Sequence, residues 1–168
     1  LGSEAVTVTD SSVSASDLNT LNTKTDYNIT VNATAISGSL SDVSTLYGAK
    51  AANSDADTDG FTGLGNEAIT VSDTGSVAAN TLTTIATANS SGTLNVSDAA
   101  TITGTAGQII AAFADSTITE ASDVALTVDS SGTASLTQAR TLDGLTTGVV
   151  TATIASTDLS DLVGSSPL

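Results

Sequence analysis

The 168 residues carry 18 acidic side chains against three basic ones, a net charge of −15, with no His, Cys, Met or Trp and a single Pro. Three basic groups cannot neutralise a run of phosphates, so nucleic acid is not an expected partner, and an anionic membrane surface would repel the chain. No apolar stretch is long enough to span a bilayer, and no His or Cys is available as base, nucleophile or soft metal ligand.

Disorder is not expected either. Apolar residues make up 39% of the chain, mean hydropathy is +0.23, and the apolar residues are periodic rather than scattered. With only two Tyr and two Phe, the core must be thin and built from small aliphatic side chains. The absence of Cys fits a reducing cytosol or a bacterial exterior equally well. The start at Leu1 rather than Met reads as a piece of something longer, and no basic-plus-apolar leader opens the chain.

The first predicted strand is Val6-Thr7-Val8-Thr9-Asp10, where β-branched residues alternate with polar ones. Val13 follows, and then Leu18 and Leu21 behind the helix-start pair Ser16-Asp17. The second unit has the strand Ile29-Thr30-Val31, then Ile36, then Val43 and Leu46 behind Ser41-Asp42. In the third, Ile69-Thr70-Val71-Ser72-Asp73 reads as a half-buried strand and Thr74-Gly75 as a turn. Ser76-Val77-Ala78 is a second extended piece, and Asn80-Thr81 offers a cap for a helix carrying Leu82 and Ile85. Leu94-Asn95-Val96-Ser97-Asp98 opens the fourth unit, which continues through Ile102, Ile109 and Ala112. Leu126-Thr127-Val128-Asp129 opens the fifth, with Ala134, Ala139 and Leu142. Ile154, Leu159 and Leu162 close the series behind Thr157-Asp158.

One pattern therefore recurs six times: an apolar residue, then an apolar pair three apart on one helix face. The offsets are five and eight in four copies and seven and ten in the other two. Recurrence every ~20–25 residues is the mark of stacked repeats. The fold expected is a β-solenoid with parallel strands and one short helix per coil, somewhat like a leucine-rich repeat in plan. It would be one domain over residues 1–168, of about six coils, with insertions at 47–68 and 114–125. The alternative is an immunoglobulin-like β-sandwich. The Leu-x-x-Leu steps behind cap residues and the scarcity of aromatics speak against that alternative.

The first insertion holds the one motif with specific chemistry, Asp55-Ala56-Asp57-Thr58-Asp59-Gly60-Phe61. D-x-D-x-D-G opens calcium loops of the EF-hand type, because carboxylates at positions 1, 3 and 5 converge on a hard cation when a glycine at 6 lets the chain turn. Asp55, Asp57 and Asp59 would supply side chains and Phe61 its carbonyl. Position 12, normally a bidentate Glu, is Asn66, with Glu67 one step later. The competing reading is a plain solvated acidic loop. Asp10, Asp73 and Asp98 share a place two residues after a strand valine. They are expected to bond their own turn backbones, with calcium bridging as the lesser alternative. Asn28, Asn32 and Asn89 begin glycosylation sequons of the kind that arise by chance in a chain rich in Ser and Thr. Three T-x-T pairs (Thr7 and Thr9, Thr101 and Thr103, Thr151 and Thr153) suit exposed strand faces and are too irregular for an ice-binding ladder.

Ile69-Thr70-Val71-Ser72-Asp73 and Leu94-Asn95-Val96-Ser97-Asp98-Ala99-Ala100, with the acidity and the D-x-D-x-D-G motif, resemble repeat segments of very large secreted bacterial surface proteins. These are the cyanobacterial and marine adhesin-like, S-layer-like and RTX-associated proteins. The RTX nonapeptide itself is absent, so its calcium roll does not carry over. The resemblance implies an extracellular or cell-surface, non-enzymatic structural or adhesive role, with Ca2+ as a rigidifying ion and neighbouring repeats or identical subunits as partners. Filament or lattice assembly is part of that expectation. Two rival classes are a ligand-binding module of glycan, ice or phage-fibre type and a polysaccharide-cleaving β-helix that works with carboxylates alone.

Overall fold

The computed structural model describes residues 4–52, 60–130 and 132–155. Every strand pairing among them is parallel, so each strand must be followed by a crossover before the chain returns beside it. Short extended pieces and helices alternate along the chain. β1 (Val6–Val8) and β2 (Ser12–Ser14) precede α1 (Ala15–Asn22). β3 (Ile29–Val31) and β4 (Ala35–Gly38) precede α2 (Leu40–Ala52). β5 (Phe61–Thr62), β6 (Ala68–Val71) and β7 (Ser76–Ala78) precede α3 (Ala79–Ala88). β8 (Thr93–Asn95) and β9 (Thr101–Gly104) lead into α4 (Ala106–Ala114). β10 (Ile118–Thr119) and β11 (Ala125–Val128) come before α5 (Leu136–Asp143), and β12 (Val150–Thr151) follows it.

The strands form three sheets, ordered β1-β3-β5, β10-β8-β6-β4-β2 and β12-β11-β9-β7. The helices form a layer of their own, each packed on the next from α1 to α5. This is an α/β arrangement, and it corrects the expected fold. It is not a solenoid of strands with a helical turn per coil, because five helices of 8 to 13 residues alternate with the strands of three separate parallel sheets. It is not an immunoglobulin-like sandwich either, since that fold needs antiparallel pairing.

Register explains the change. The repeated pattern equates Ile36 with Val77, yet Ile36 lies opposite Ile69, and Val77 opposite Ile102. Between Ile69 and Val77 the chain turns and starts a new strand, so β7 founds the third sheet while β6 stays in the second. The segment expected as an insertion at 47–68 holds the end of α2, all of β5 and the first residue of β6. The one at 114–125 likewise contains β10 and opens β11.

The core runs between the sheets and the helix layer. Val13, Ile36, Ile69, Leu94 and Ile118 stand in one file across the five-stranded sheet, and Val77, Ile102, Leu126 and Val150 in another. Leu18 of α1, Leu46 of α2, Leu82 and Ile85 of α3, Ile109 of α4 and Leu142 of α5 meet them from the other side, all buried. Aliphatic files of this kind bury apolar area without aromatics, which is how a chain so poor in large side chains folds.

Local caps hold the helices, which are too short to persist alone. Ser14 caps α1, accepting from the Asp17 N–H. Thr105 with Gln108 and Ser135 with Gln138 form reciprocal capping boxes on α4 and α5. On α3 the expected cap at Asn80-Thr81 is not used: the helix begins at Ala79 behind Ala78, with no side-chain cap bond. The start of α2 is held from two sides. Ser39 Oγ donates to Asp42 Oδ2 at 2.6 Å and accepts from the Asp42 N–H at 3.1 Å. The Leu40 N–H donates to Asp73 Oδ2 at 2.6 Å. Asp73 therefore caps a helix 33 residues before it rather than bonding its own turn.

Candidate functional site

The concentration of polar chemistry inside this fold lies where α2, the loop before β6 and the end of α3 meet. Tyr47 projects from α2 beside Leu46, Glu67 stands just before β6, and Asn89 terminates α3. The Tyr47 hydroxyl lies 2.6 Å from Glu67 Oε2 and 2.9 Å from Asn89 Oδ1, so it can donate to either. Glu67 Oε2 also accepts from the N–H groups of Gly65 at 2.8 Å and Asn66 at 3.0 Å. Asn89 Oδ1 accepts from the Glu67 N–H at 3.1 Å, and its Nδ2 donates to the Glu67 carbonyl at 2.8 Å. Lys50, one turn on from Tyr47, donates to the Ala88 carbonyl at 2.6 Å and sits 5.7 Å from the Tyr47 ring centre.

Two glycines permit this closeness. A Cβ on Gly92 would collide with Asn89 Nδ2 and the Glu67 carbonyl. Gly65 has φ +130°, and a Cβ there would come within 2.7 Å of Lys50 Nζ.

What this arrangement can do follows from its burial. Tyr47, Glu67 and Asn89 are 3%, 2% and 1% exposed, so no substrate reaches them. Burial, then the hydrogen bond and charge of Glu67, push the Tyr47 hydroxyl well above the usual phenol range, so it stays a proton donor. Each donor meets an acceptor, as a buried polar cluster requires. The cluster is a clamp that ties α2, the loop at 63–67 and the α3 terminus together.

The residues expected to bind calcium are described only in part. Asp55, Asp57 and Asp59 lie outside the described residues. Phe61 is in β5 with its side chain buried in the core, and Asn66 is exposed. The Glu67 carboxyl faces inward, with Tyr47, Gly65 and Asn66 as its donors. Among the described residues no three acidic side chains cluster closely enough to hold a metal. Sequence reading missed Tyr47 and Asn89, since residues 20 and 42 apart leave no local trace of their meeting. Asn89 also begins a sequon, and its burial rules it out as an acceptor in the folded chain. Thr7, Thr30 and Thr62 do align across β1, β3 and β5, and Thr103, Thr127 and Thr151 across β9, β11 and β12. They are short single files on different sheets, which the strand preference of Thr explains.

A second unusual carboxyl follows β10. Oxygen Oε1 of Glu120 is buried without a hydrogen-bond partner. Burial raises its pKa from 4.5 to about 7, opposed by a hydrogen bond from its own backbone and helped least by the charge of Asp115. The folded chain therefore keeps a proton that the unfolded chain has already released between those pH values. Its contribution is complete below pH 4.5 and is lost as pH rises through 7. Full burial would make this roughly 3 kcal/mol, and with the side chain half in water we expect about 1–2 kcal/mol. Unfolding by urea at pH 5 and pH 8 checks it. The stability lost on going to pH 8 should shrink by that amount in Glu120→Gln, and an unchanged difference would remove Glu120 as its source.

Comparison of the chain with family models, with curated proteins and with solved structures finds no match in any of the three. The fold and its clamp thus define a class by physics alone: a small α/β stack of parallel strands whose polar chemistry is turned inward. Among the described residues no helix is long and apolar enough to cross a membrane.

Proposed function

We propose that this chain is a non-enzymatic structural or adhesive module of a secreted or cell-surface bacterial protein, stiffened by Ca2+ at the loop of residues 55–67. The observation that carries the reading is the succession of parallel pairings from Val6 to Thr151, backed by an unbroken helix layer. Parallel pairing repeated in three sheets distributes force over many backbone hydrogen bonds. Its most polar interior cluster serves cohesion, since Glu67 and Asn89 are sealed from solvent. A strongly acidic chain without His or Cys fits a cation-rich exterior, and identical subunits or neighbouring segments are its natural partners.

Calcium is supported by the spacing of Asp55, Asp57 and Asp59 before Gly60. With the Glu67 oxygens engaged inside the fold, Asn66 is the residue left to close the ligand set. Module-type affinities of about 10⁻⁴–10⁻³ M imply roughly 1.4–2.7 kcal/mol of stabilisation at 10 mM calcium. A melt with calcium should therefore run about 5 °C above one with chelator. The difference should vanish in Asp57→Asn combined with Asp59→Asn. Identical melts for the unaltered chain would remove calcium from the account.

A further inference from the structure

We infer that the chain after Ala155 covers its own fold: residues 156–163 occupy the groove between α5 and β12, with Leu159 and Leu162 against its apolar wall. The groove has a volume of about 320 Å3, with Leu136 and Ala139 on the α5 side and Val150, Ala152 and Ile154 on the other. All five are only half-buried, whereas Ile102 and Leu126, which precede Val150 in the same file, are 0% exposed. The helix is short of cover in the same way. Packed between α2 and α4, α3 buries Ala79, Leu82, Ile85 and Ala86, while α5, packed on α4, fully buries Leu142 alone.

The chain reaches this groove already aligned. Ile154 stands opposite Ala134 in a parallel bridge, with the Ala134 N–H donating to the Thr153 carbonyl at 2.8 Å and the Ala155 N–H to the Ala134 carbonyl at 3.1 Å. Ala134 is the residue before Ser135, which caps α5. Two other pairs in the fold stand in this relation. Val13 lies opposite Ile36 ahead of α1 and α2, and Val77 opposite Ile102 ahead of α3 and α4. In both cases the two helices that follow pack on each other. The same relation sends a helix that follows Ile154 onto α5.

Residues 156–168 lie outside the described part, and their sequence fits that place. Leu159 and Leu162 stand five and eight residues after Ile154, as Leu18 and Leu21 do after Val13 and Leu82 and Ile85 after Val77. Leu18, Leu82 and Ile85 are buried on the inner face of their helices. Asp158 repeats the place of Asp17 in the first turn of α1, where a carboxylate favours a helix start. The reach is short, since five helical residues span about 7.5 Å. Charge does not choose the occupant, because Arg140 and Asp143 both edge the groove and offset one another before Asp158 and Asp161 arrive. Apolar fit does: two leucines laid on five half-buried aliphatic side chains remove both sets from water.

The chain has no cysteine, so one placed in the groove reports on its cover. In Ala139→Cys of the full chain the thiol should be alkylated slowly by iodoacetamide. Leu159→Asp and Leu162→Asp added to it should speed alkylation about tenfold. Thr141→Cys, on the exposed side of α5, should react at one rate in both backgrounds. The two aspartates should also lower the melting temperature by about 5 °C. Equal rates at position 139 overturn the inference, as does an unchanged melt. Protection that fades on dilution overturns it too, because the cover is then a second copy. Should the aspartates unfold the chain, Leu159→Ala with Leu162→Ala decides, with alkylation about threefold faster expected and equal rates fatal.

Discussion

Glu67→Ala should lower the melting temperature by about 10 °C, the cost of roughly 3–4 kcal/mol for breaking a buried polar cluster in a chain of this size. The loss has three sources. The N–H groups of Gly65 and Asn66 lose their acceptor, and the Tyr47 hydroxyl is left with Asn89 Oδ1 alone. The vacated volume lies beside groups 1–3% exposed, where water replaces the lost partner poorly. Tyr47→Phe separates the parts. It removes one donor and leaves Glu67 bonded to the two N–H groups, so about 1–2 kcal/mol should be lost. Calorimetry on the two variants checks the order. If Glu67→Ala melts with the parent chain, the clamp is not what joins α2 to the end of α3.

Leu94→Ala should cost about 3–4 kcal/mol, while Val13→Ala in the same file should cost about 1 kcal/mol or less. Leu94 is fully buried, with Ile69 on one side and Ile118 on the other in register, so its removal leaves a cavity that the flanking strands cannot close. Val13 ends the file and has a strand neighbour only at Ile36. Its site is open to water and can relax. Chemical denaturation of both variants measures the contrast directly. Equal losses would mean that the file is no continuous core and that position along it carries no energetic meaning.

The positions of the helices were legible because their signal is local. Leu18 and Leu21, Val43 and Leu46, and Leu82 and Ile85 are spaced to share a helix face, and all six lie on α1, α2 or α3. The capping boxes at Thr105 and Ser135 were equally readable, since Gln108 and Gln138 stand three residues on, but the apolar repeat drew the reading elsewhere. Strand partnership was not legible. Ile36 has two apolar candidates downstream, Ile69 and Val77, both in short extended segments, and nothing near either residue says which will lie beside it. That choice separates three sheets from one continuous ladder, and there the solenoid expectation failed.

The candidate site shows the same division. Sequence spacing marks Asp55, Asp57, Asp59 and Glu67 as one acidic group, but Glu67 belongs to a clamp with Tyr47 and Asn89. An acid near an acidic loop reads as a ligand until the fold places a tyrosine hydroxyl against it.

From its amino acids alone this protein was bound to have short amphipathic helices, β-branched strands, a slender aliphatic interior and an acidic exterior. Those properties depend on neighbours a few bonds away. Which strands lie side by side and where the polar interior closes were decided only by tertiary packing. Each depends on residues tens of positions apart that bury one another's apolar faces and satisfy one another's hydrogen bonds.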